Sequence, residues 1–519
     1  MRRRSFLSRA SLLGLPFFAS QSAAASQPVE GRAAPSNVRQ FGAVGDGLTD
    51  DSAAIQAAVN ASLHVYFPAG NYLVRKKIDL RSGSSLVGDG TAMLRTDGTS
   101  YILSAVGRIG ARRPLRKDAR HGDKQILAAA STGRQYQGAG GFLLQSEEIP
   151  LGHPTHRAGE LGVVSSVNRD EVGVSGLVLA DYLLADNAMA APVTFVEGVS
   201  IRGLRLSNDN YAKNPSKVTS ALIYLEFVKD FRVCDSSLQR NNSAGISAFN
   251  CVNGVISQNS IGQLRDGGRG ILGYGVQIGF SSQNITVSGN TISECRHAVT
   301  TGTGTKSSRT PNHGVSRALT IVGNSISNCT NAGLDTHEDS DGVTITGNSI
   351  IACDPVGIHA RSYRSSISNN TITSCTRMGI RISKTAKDTV VSGNMISGIR
   401  RGPSGGDGIS IESQAVTVTG NRISECDRHG IAVMGDASTD ISITGNSCSN
   451  NGQFSGGDGI NIDRRGPISR LTVVGNTCVD LQTRPTQRSH FKIDPRTTLS
   501  KSDCLVTNNN FSSPAKSRS

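Results

Sequence analysis

A short unit that recurs from about residue 195 onward constrains the fold more than any other feature of the chain. Each copy is a β-branched strand that ends in Gly-Asn and is followed by a short apolar pair. Copies occupy residues 287–290, 321–324, 345–348, 391–394, 418–421, 443–446 and 473–476, and Ser-Asn-Asn at 368–370 is the same unit without Gly. Successive Asn lie mostly 22–34 residues apart, which is the length of one solenoid coil. The chain is therefore predicted to be all-β, a right-handed parallel β-helix.

The Gly-Asn pair has a physical reason to recur at a tight corner between strands. Gly and Asn tolerate the left-handed backbone that such a corner needs. Asn side chains stacked at the same place in successive coils can then bond the coils above and below. The Asn column is therefore predicted to be structural.

Composition supports many short turns around small interior side chains. The 519 residues include 59 Gly, only 4% aromatic residues and no Trp. A doubly wound enzyme of this length usually carries more large apolar side chains. No stretch is apolar enough over a sufficient length to span a membrane.

The first 25 residues read as an export signal. Three Arg precede Ser5-Phe6-Leu7, an apolar run covers residues 10–19, and Ala at 23–25 offers a cleavage site. The run at 3–7 resembles a twin-arginine signal, with an ordinary secretory peptide as the alternative. Either signal predicts a periplasmic or secreted protein.

The charge of the chain bears on its partners. The formal net charge is +14, and removal of the four Arg of residues 1–25 leaves +10. A basic protein outside the cytoplasm meets little nucleic acid, whereas its field attracts acidic polysaccharide. The alternative is that the charge only aids solubility.

The remaining segments divide by composition. Residues 26–36 are a predicted linker, 37–105 a cap with the first coils, 106–170 a basic insertion, 171–511 the repeats, and 512–519 a disordered tail. The insertion is either a solvated basic face or a rim that recruits an acidic polymer. Its basic residues include Arg112, Arg113, Arg116, Lys117, Arg120 and Lys124.

A Gly-rich motif at residues 42–51 precedes an apolar helical pattern at 53–59. Thr49 or Asp50 is a suitable N-cap for that helix. The motif resembles the N-terminal segment of the pectate-lyase superfamily of β-helices. This resemblance implies a short helix that plugs the open end of the solenoid.

A second repeated strand carries the polar residues of interest. It begins with Gly at positions 333, 357, 379, 408 and 459. Period-two alternation places Asp335, His359 and Arg381 in one outward column, with His337 and Arg361 in the neighbouring column. Asp335-Thr336-His337-Glu338 begins the densest polar cluster of the repeats, and Arg296 and His297 lie one coil back along the chain.

Residues 333–340 are similar to the Asp-Pro-His-Asp/Glu motif of mannuronan C-5 epimerases, which are β-helices. The resemblance implies that His337 is the base that removes the C-5 proton and that Arg361 neutralises the substrate carboxylate. Asp335 matches the motif Asp. Thr336 replaces the motif Pro, and Ala332 stands where some members have a Tyr acid. Tyr363 or water is left as the proton donor.

The remaining candidates of the same groove are expected to bind substrate: Arg381, His359, Glu338, Arg296 and His297. Arg suits the carboxylate because its fork is bidentate and permanently charged, and a neutral His can take the proton. Return of the proton to the other face gives epimerisation, whereas loss of the 4-linked sugar gives a lyase. Both reactions share the first step.

Three other functions remain open. A glycoside hydrolase needs two carboxylates about 5–9.5 Å apart, and Glu412 with Asp463, at ~10 Å across two coils, is marginal. A non-catalytic polysaccharide-binding scaffold would keep the fold without an acid. A phage-type depolymerase is disfavoured because phage fibres carry no export signal. No cofactor or metal is expected, although the carboxylates from Asp335 to Asp341 leave Ca²⁺ as an alternative.

Five of the ten cysteines lie five residues after the Asn of their coil, and they are Cys295, Cys329, Cys353, Cys375 and Cys426. No paired Cys-x-x-Cys spacing favours a metal. Adjacent coils are close enough for disulfides. A twin-arginine substrate folds in a reducing compartment, so a buried stack of free thiols is predicted instead.

Overall fold

A computed structural model of the chain describes residues 35–511, except residues 99, 150–155, 212–219, 268–269, 303–311, 401–404, 436–438, 455, 464–465 and 501–502. The predicted export signal, nearly all of the linker and the C-terminal tail lie outside the described residues. None of the helices in the described part is long and apolar enough to cross a membrane.

Three long parallel sheets wind together around one interior, and we call them sheets A, B and C. Sheet A contains Ser36–Asn37, His64–Phe67, Ser85–Gly88, Val196–Glu197, Ser200–Arg202, Val228–Cys234, Val252–Ser257, Gln283–Ser288, Ser316–Arg317, Thr320–Val322, Ser340–Asp341, Thr344–Thr346, Ser366–Ser368, Thr389–Ser392, Val416–Thr419, Thr439–Thr444, Gly466–Val474, Thr497–Leu499 and Leu505–Thr507. Sheet B contains Asp46–Asp50, Asn71–Leu73, Met93–Thr96, Arg205–Asn208, Ser237–Asn241, Ser260–Leu264, Thr291–Ser293, Ser325–Ser327, Ser349–Ile351, Thr371–Thr373, Met395–Ser397, Arg422–Ser424, Ser447–Ser449 and Thr477–Val479. Sheet C contains Ile78–Asp79, Leu103–Val106, Ile223–Glu226, Ile246–Phe249, Tyr274–Gly279, His297–Thr300, Ala332–Asp335, Val356–Ala360, Met378–Ile382, Asp407–Ile411, Ile431–Met434, Asp458–Asp463 and Ser489–Ile493.

Inward side chains of successive coils stack in register and form the core. On sheet A, Ile345 pairs with Ile367, which pairs with Val391. All three are fully buried. Each such side chain contributes roughly 1.5–3 kcal/mol when it leaves water. The alternation of the repeat therefore becomes a continuous apolar column, as the sequence predicts.

The Asn column is an internal hydrogen-bond ladder that runs from Asn259 to Asn509. Each side-chain amide donates to the Oδ1 of the next Asn at 2.8–3.0 Å. Where Gly precedes the Asn, it takes the left-handed backbone, with φ of +64° at Gly323 and +65° at Gly347. Asn369 takes the same conformation, with φ of +55°, where the repeat lacks Gly. The structural role predicted for this column is borne out.

A short helix, Ser52–Ala61, covers the N-terminal end, next to a 3-10 turn at Val38–Phe41. Ile55, Ala58 and Val59 are buried in the main core. The predicted N-cap is wrong. Asp51 precedes the helix, and its carboxylate accepts the backbone N–H groups of residues 44 and 45 at 2.6 and 3.1 Å instead of capping.

The insertion is an antiparallel sheet with one helix, Gly133–Ala139, and a 3-10 turn, Leu184–Asp186. Its strands are Arg108–Ile109, Arg113–Pro114, Gln125–Leu127, Gly140–Gln145, Gly159–Asn168, Glu171–Val174 and Met189–Thr194. The insertion extends past the expected boundary at residue 170, because its last strand, Met189–Thr194, pairs with Gly140–Gln145. The basic side chains between residues 112 and 124 are exposed. A separate strand pair, His156–Arg157 with Asn312–His313, is parallel.

The cysteine column lies inside the solenoid. Cys295, Cys329, Cys353, Cys375 and Cys426 are buried, and none of the ten cysteines forms a disulfide. Burial raises the pKa of the Cys295 thiol in this column. Such thiols are inert small apolar groups rather than nucleophiles.

Candidate functional site

The candidate site begins as a column on the outer face of sheet C. Asp335 pairs with His359, which pairs with Arg381, in successive coils. Thr300 precedes Asp335 in the same column. The common Gly offset therefore brings these residues together as the sequence predicts.

Four basic side chains converge on the Asp335 carboxylate. Arg361 Nη2 lies 2.6 Å from Oδ2. His297 Nε2 and His337 Nε2 lie 3.2 and 3.3 Å from the same oxygen, and His359 Nδ1 lies 3.2 Å from Oδ1. Asp335 is only 2% exposed, so this carboxylate is the electrostatic centre of the cluster.

The charges of the cluster follow from burial and contacts. Burial opposes ionisation of Asp335, but the His359 ring and the Arg361 charge beside the carboxylate outweigh the burial and hold the pKa of Asp335 well below its usual range. Burial lowers the pKa of His297 to about 4, against the opposing effect of Asp335. At neutral pH Asp335 is therefore ionised and His297 is neutral.

The His337 ring accepts a hydrogen bond from Arg361. Arg361 Nη2 lies 2.8 Å from His337 Nε2. A guanidinium has only donors, so this nitrogen must be the unprotonated one. Arg361 is itself fixed by Thr336, whose carbonyl accepts from Nε at 3.2 Å and whose hydroxyl accepts the Arg361 backbone N–H at 2.9 Å. The Thr that replaces the motif Pro thus orients the Arg.

The expectation that these residues stand exposed on the outer face is wrong. His337 is 7% exposed and Glu338 is 8% exposed. The chain at Gly302 runs directly over His337 and Asp339, because a Cβ at that position would lie 2.3 Å from the His337 Cβ and 2.7 Å from Asp339 Oδ1. A glycine on the preceding coil therefore closes one side of the site, which strand alternation alone does not reveal.

A groove of about 620 Å³ runs along sheet C and ends at this cluster. Arg296, His297, Asp335, His337, His359 and Arg361 line one end. The sequence did not indicate the rest of the lining, which includes Tyr101, Tyr224 and Phe249 at the other end and Tyr274 beside His297. These aromatics stand in coils without the Gly-Asn unit. The alternating strands 223–226 and 246–249 were the available signal.

Other residues that were predicted to bind substrate or donate a proton are instead paired with neighbouring residues of the protein. Arg381 donates both arms of its fork to Glu412 at 2.9 Å and does not line the groove. Arg296 pairs with Asp266 at 3.0 Å. Glu338 Oε1 lies 3.8 Å from Arg361 Nη1. Tyr363 pairs with Asp341 in an isolated bridge and is absent from the groove lining.

Tyr274, unlike Tyr363, is a phenol that lines the groove at the cluster. It occupies the column of His297 and Ala332, two coils before Ala332. Its ring stacks on His297 with centroids 5.2 Å apart and an interplanar angle of 13°. Burial raises its pKa to about 12, so it holds its proton at neutral pH.

Cation binding by the acidic run was the alternative to catalysis. In the part of the chain that the structure describes, no group of three or more His, Cys, Asp or Glu side chains has an arrangement that would hold a metal ion. Burial raises the pKa of Asp339. Arg364 pairs with Asp341.

Two family models match the chain. The model described as "Rhamnogalacturonase A/epimerase, pectate lyase-like" matches residues 36–112. The model "Right handed beta helix region" matches residues 221–396 and 356–516, which is more than half of the chain. The fold and these matches define a right-handed parallel β-helix with a pectate-lyase-like N-terminal segment. The chain belongs to the right-handed β-helix family.

The chain is similar to one known protein over a short segment of sequence and to two others in fold. Mannuronan C5-epimerase AlgE4 of Azotobacter vinelandii is 45% identical over 74 residues, which are 13% of this chain and 12% of that protein. The tailspike gp49 of Pseudomonas phage LKA1 superposes with a TM-score of 0.57 at 18% identity, over 85% of this chain and 80% of that one. PfbA, a surface adhesin of Streptococcus pneumoniae, superposes with a TM-score of 0.52 at 16% identity, over 91% and 93%. The match to the epimerase thus spans about an eighth of that protein.

Proposed function

We propose that this protein is an exported enzyme that removes the C-5 proton of a uronate residue in an acidic polysaccharide, as an epimerase or a lyase. The observation that carries the proposal is the 2.8 Å contact between Arg361 and His337 at the end of a saccharide-sized groove. The two groups that the reaction needs, a carboxylate partner and a neutral imidazole, are in direct contact. The short match to a mannuronan epimerase supports the same chemistry.

In the proposed mechanism, binding of the substrate carboxylate releases the base. Arg361 occupies the lone pair of His337 Nε2 in the free protein. A uronate carboxylate that takes the Arg361 fork draws the guanidinium away and leaves that lone pair free. The same ion pair neutralises the carboxylate and makes the C-5 proton more acidic. The base thus becomes available only when its substrate is bound.

Asp335 and Tyr274 have supporting roles in this mechanism. The ionised Asp335 stabilises the imidazolium that His337 becomes, because the two groups are 3.3 Å apart. Tyr274 carries a phenolic proton at neutral pH and lines the same groove, so it is our candidate for the acid that returns a proton. It takes the role for which Tyr363 or water was expected.

The geometry disfavours a hydrolase. That reaction needs one carboxylic acid that keeps its proton near neutral pH. Asp335 is held ionised by its neighbours. Glu412 is bound by the Arg381 fork, and Asp463 lies 3.8 Å from Arg496. Asp335, Glu412 and Asp463 are therefore each close to a cation, and Asp339, whose pKa is raised by burial, is fully buried and does not line the groove.

A non-catalytic binding scaffold is the second candidate. Its support is the 2.6 Å contact between Arg361 and Asp335, because a guanidinium that is already neutralised attracts a substrate carboxylate less strongly. Such a groove would bind a polymer without reaction, and the fold is shared with the adhesin PfbA.

One experiment separates these functions. The protein without residues 1–25 is incubated in D₂O with a panel of uronate polymers. Deuterium at C-5 without cleavage reports an epimerase, and absorbance of unsaturated uronate ends reports a lyase. New reducing ends without unsaturation report a hydrolase. Salt-sensitive binding with no chemical change would contradict the enzyme proposal and support the scaffold.

A further inference from the structure

The groove has two arms of different chemistry. Among its described lining residues, every Arg, His and Asp lies on the three coils that carry residues 296–297, 335–337 and 359–361, and we call this the charged arm. The preceding coils carry Tyr101, Tyr224, Phe249 and Tyr274, together with Ser and Gln side chains, and form the aromatic arm. No described residue that lines the aromatic arm is Lys or Arg.

The aromatic arm is a rigid platform. Tyr101 and Tyr224 stack with centroids 4.4 Å apart at an angle of 17°. Phe249 packs its edge against Tyr224 at 5.8 Å, and Phe280 supports Phe249 at 5.3 Å. Aromatics are only 4% of the chain, so four rings around one groove are a marked local concentration. Flat rings beside hydroxyl and amide groups suit the apolar face and the hydroxyls of a sugar ring.

This arm does not suit a series of carboxylates. The face of an aromatic ring carries negative charge density and repels an anion. The Tyr224 hydroxyl donates to Glu226 at 2.9 Å, which places a further acid beside the platform. In the charged arm, Arg296 is neutralised by Asp266, and Arg361 is the cation within reach of the base. The groove therefore compensates one substrate carboxylate rather than many.

The pairing of strands in sheet C gives the distance between the aromatic arm and the Asp335 cluster. Tyr224 and Asp335 lie in the same column of paired residues, and one residue of each intervening coil separates them: Ser247, Gln277 and Thr300. Four steps at ~4.8 Å place Tyr224, at the far end of the aromatic arm, ~19 Å from Asp335. Several sugar residues of an extended polymer fit into that distance.

We infer that the substrate is a heteropolysaccharide in which a single uronate, at His337 and Arg361, is joined to neutral sugars that stack on Tyr101, Tyr224 and Phe249. A homopolymer of uronate would place carboxylates along the aromatic arm. The inference rests on the proposed function, since that function places the uronate at the charged arm. Beyond that function, we infer the composition of the polymer and its direction in the groove, with neutral sugars on the aromatic arm and the uronate at the charged arm.

Calorimetric binding tests the inference without reliance on turnover. The probes are oligosaccharides of equal length from gellan, in which neutral sugars separate successive glucuronates, and from polymannuronate. We expect the gellan fragment to bind more tightly. Tyr224→Leu, which keeps apolar volume but removes the flat ring, should weaken its binding by about threefold to tenfold. Tyr224→Phe should bind as the parent does, and Tyr66→Ala, on sheet A, is the matched control.

The outcomes separate this inference from the proposed function. Equal or tighter binding of the mannuronate fragment, no binding of either probe, or full affinity in Tyr224→Leu would each overturn the inference. Tyr224-dependent binding of the gellan fragment without chemical change would keep the aromatic subsites and reject the enzyme. Conversion of a homopolymer that is insensitive to Tyr224→Leu would keep the enzyme and reject the subsites.

Discussion

Replacement of Asp335 by Asn tests the electrostatic centre of the candidate site. The change keeps the shape of the side chain but removes its charge. In the parent the carboxylate lies 2.6 Å from Arg361 and within 3.3 Å of three imidazoles. The variant leaves the guanidinium with Glu338 at 3.8 Å as its nearest acid.

The structure sets the size of the effect. Asp335 is 2% exposed and the Arg361 side chain is 21% exposed, so water replaces little of the lost interaction. Removal of one partner from a buried ion pair costs about 3–5 kcal/mol. We expect Asp335→Asn to lose free energy of unfolding in this range at neutral pH.

Equilibrium unfolding in urea measures this loss, with Glu412→Gln as the matched control. Glu412 also binds an Arg fork, but its partner Arg381 is 36% exposed. That more open pair should contribute only about 0–1 kcal/mol. The pKa of Asp335 is lowered in the folded protein, so its contribution is present above the unfolded value of 3.8 and is lost as the pH falls through the folded pKa. A loss below about 1 kcal/mol in Asp335→Asn, or equal losses in both variants, would refute this reasoning.

Three further predictions concern the ladder, a buried His and the thiols. Asn370→Ala should lower the free energy of unfolding in urea by about 2–5 kcal/mol. The change leaves the backbone N–H of Asn348 and a carbonyl on the preceding coil without partners. A loss under about 1 kcal/mol would contradict the structural role of the ladder. The pKa of His297 is lowered to about 4 in the folded protein against 6.5 when unfolded. The free energy of unfolding should therefore fall by about 3 kcal/mol as the pH drops from 6.5 to 4. His297→Gln should remove that part of the pH dependence, and an unchanged pH profile in the variant would contradict this prediction. Thiol counting on unfolded, unreduced protein should find every cysteine free, including the stacked Cys329, Cys353 and Cys375 of the column. Near-zero free thiol would establish disulfides instead.

The repeat predicts the regular part of the molecule because one coil determines the next. A fixed offset from Gly places Asp335, His359 and Arg381 in one column, and pairing in the sheet follows that offset. The Asn ladder follows from the same logic. These features depend only on period and backbone conformation, both of which are written in the local sequence.

Features that depend on non-periodic segments were not predictable. The close pass of Gly302 over His337 buries the site, and nothing in the alternation of strands reveals it. Arg381 was expected to bind substrate, but its fork is held by Glu412 from the following coil. Tyr274 stands two coils before Ala332, so a motif search at the usual spacing misses it.

We propose that His337 removes the C-5 proton of a bound uronate, and solvent deuterium exchange at C-5 measures that step. The parent and His337→Asn are incubated in D₂O with the polymer that the parent converts, after circular dichroism has established that the variant is folded. We expect deuterium at C-5, or unsaturated ends, with the parent and neither with the variant, while the variant still binds the polymer. Deuterium incorporation or cleavage by His337→Asn at the parent's rate would show that His337 is not the base.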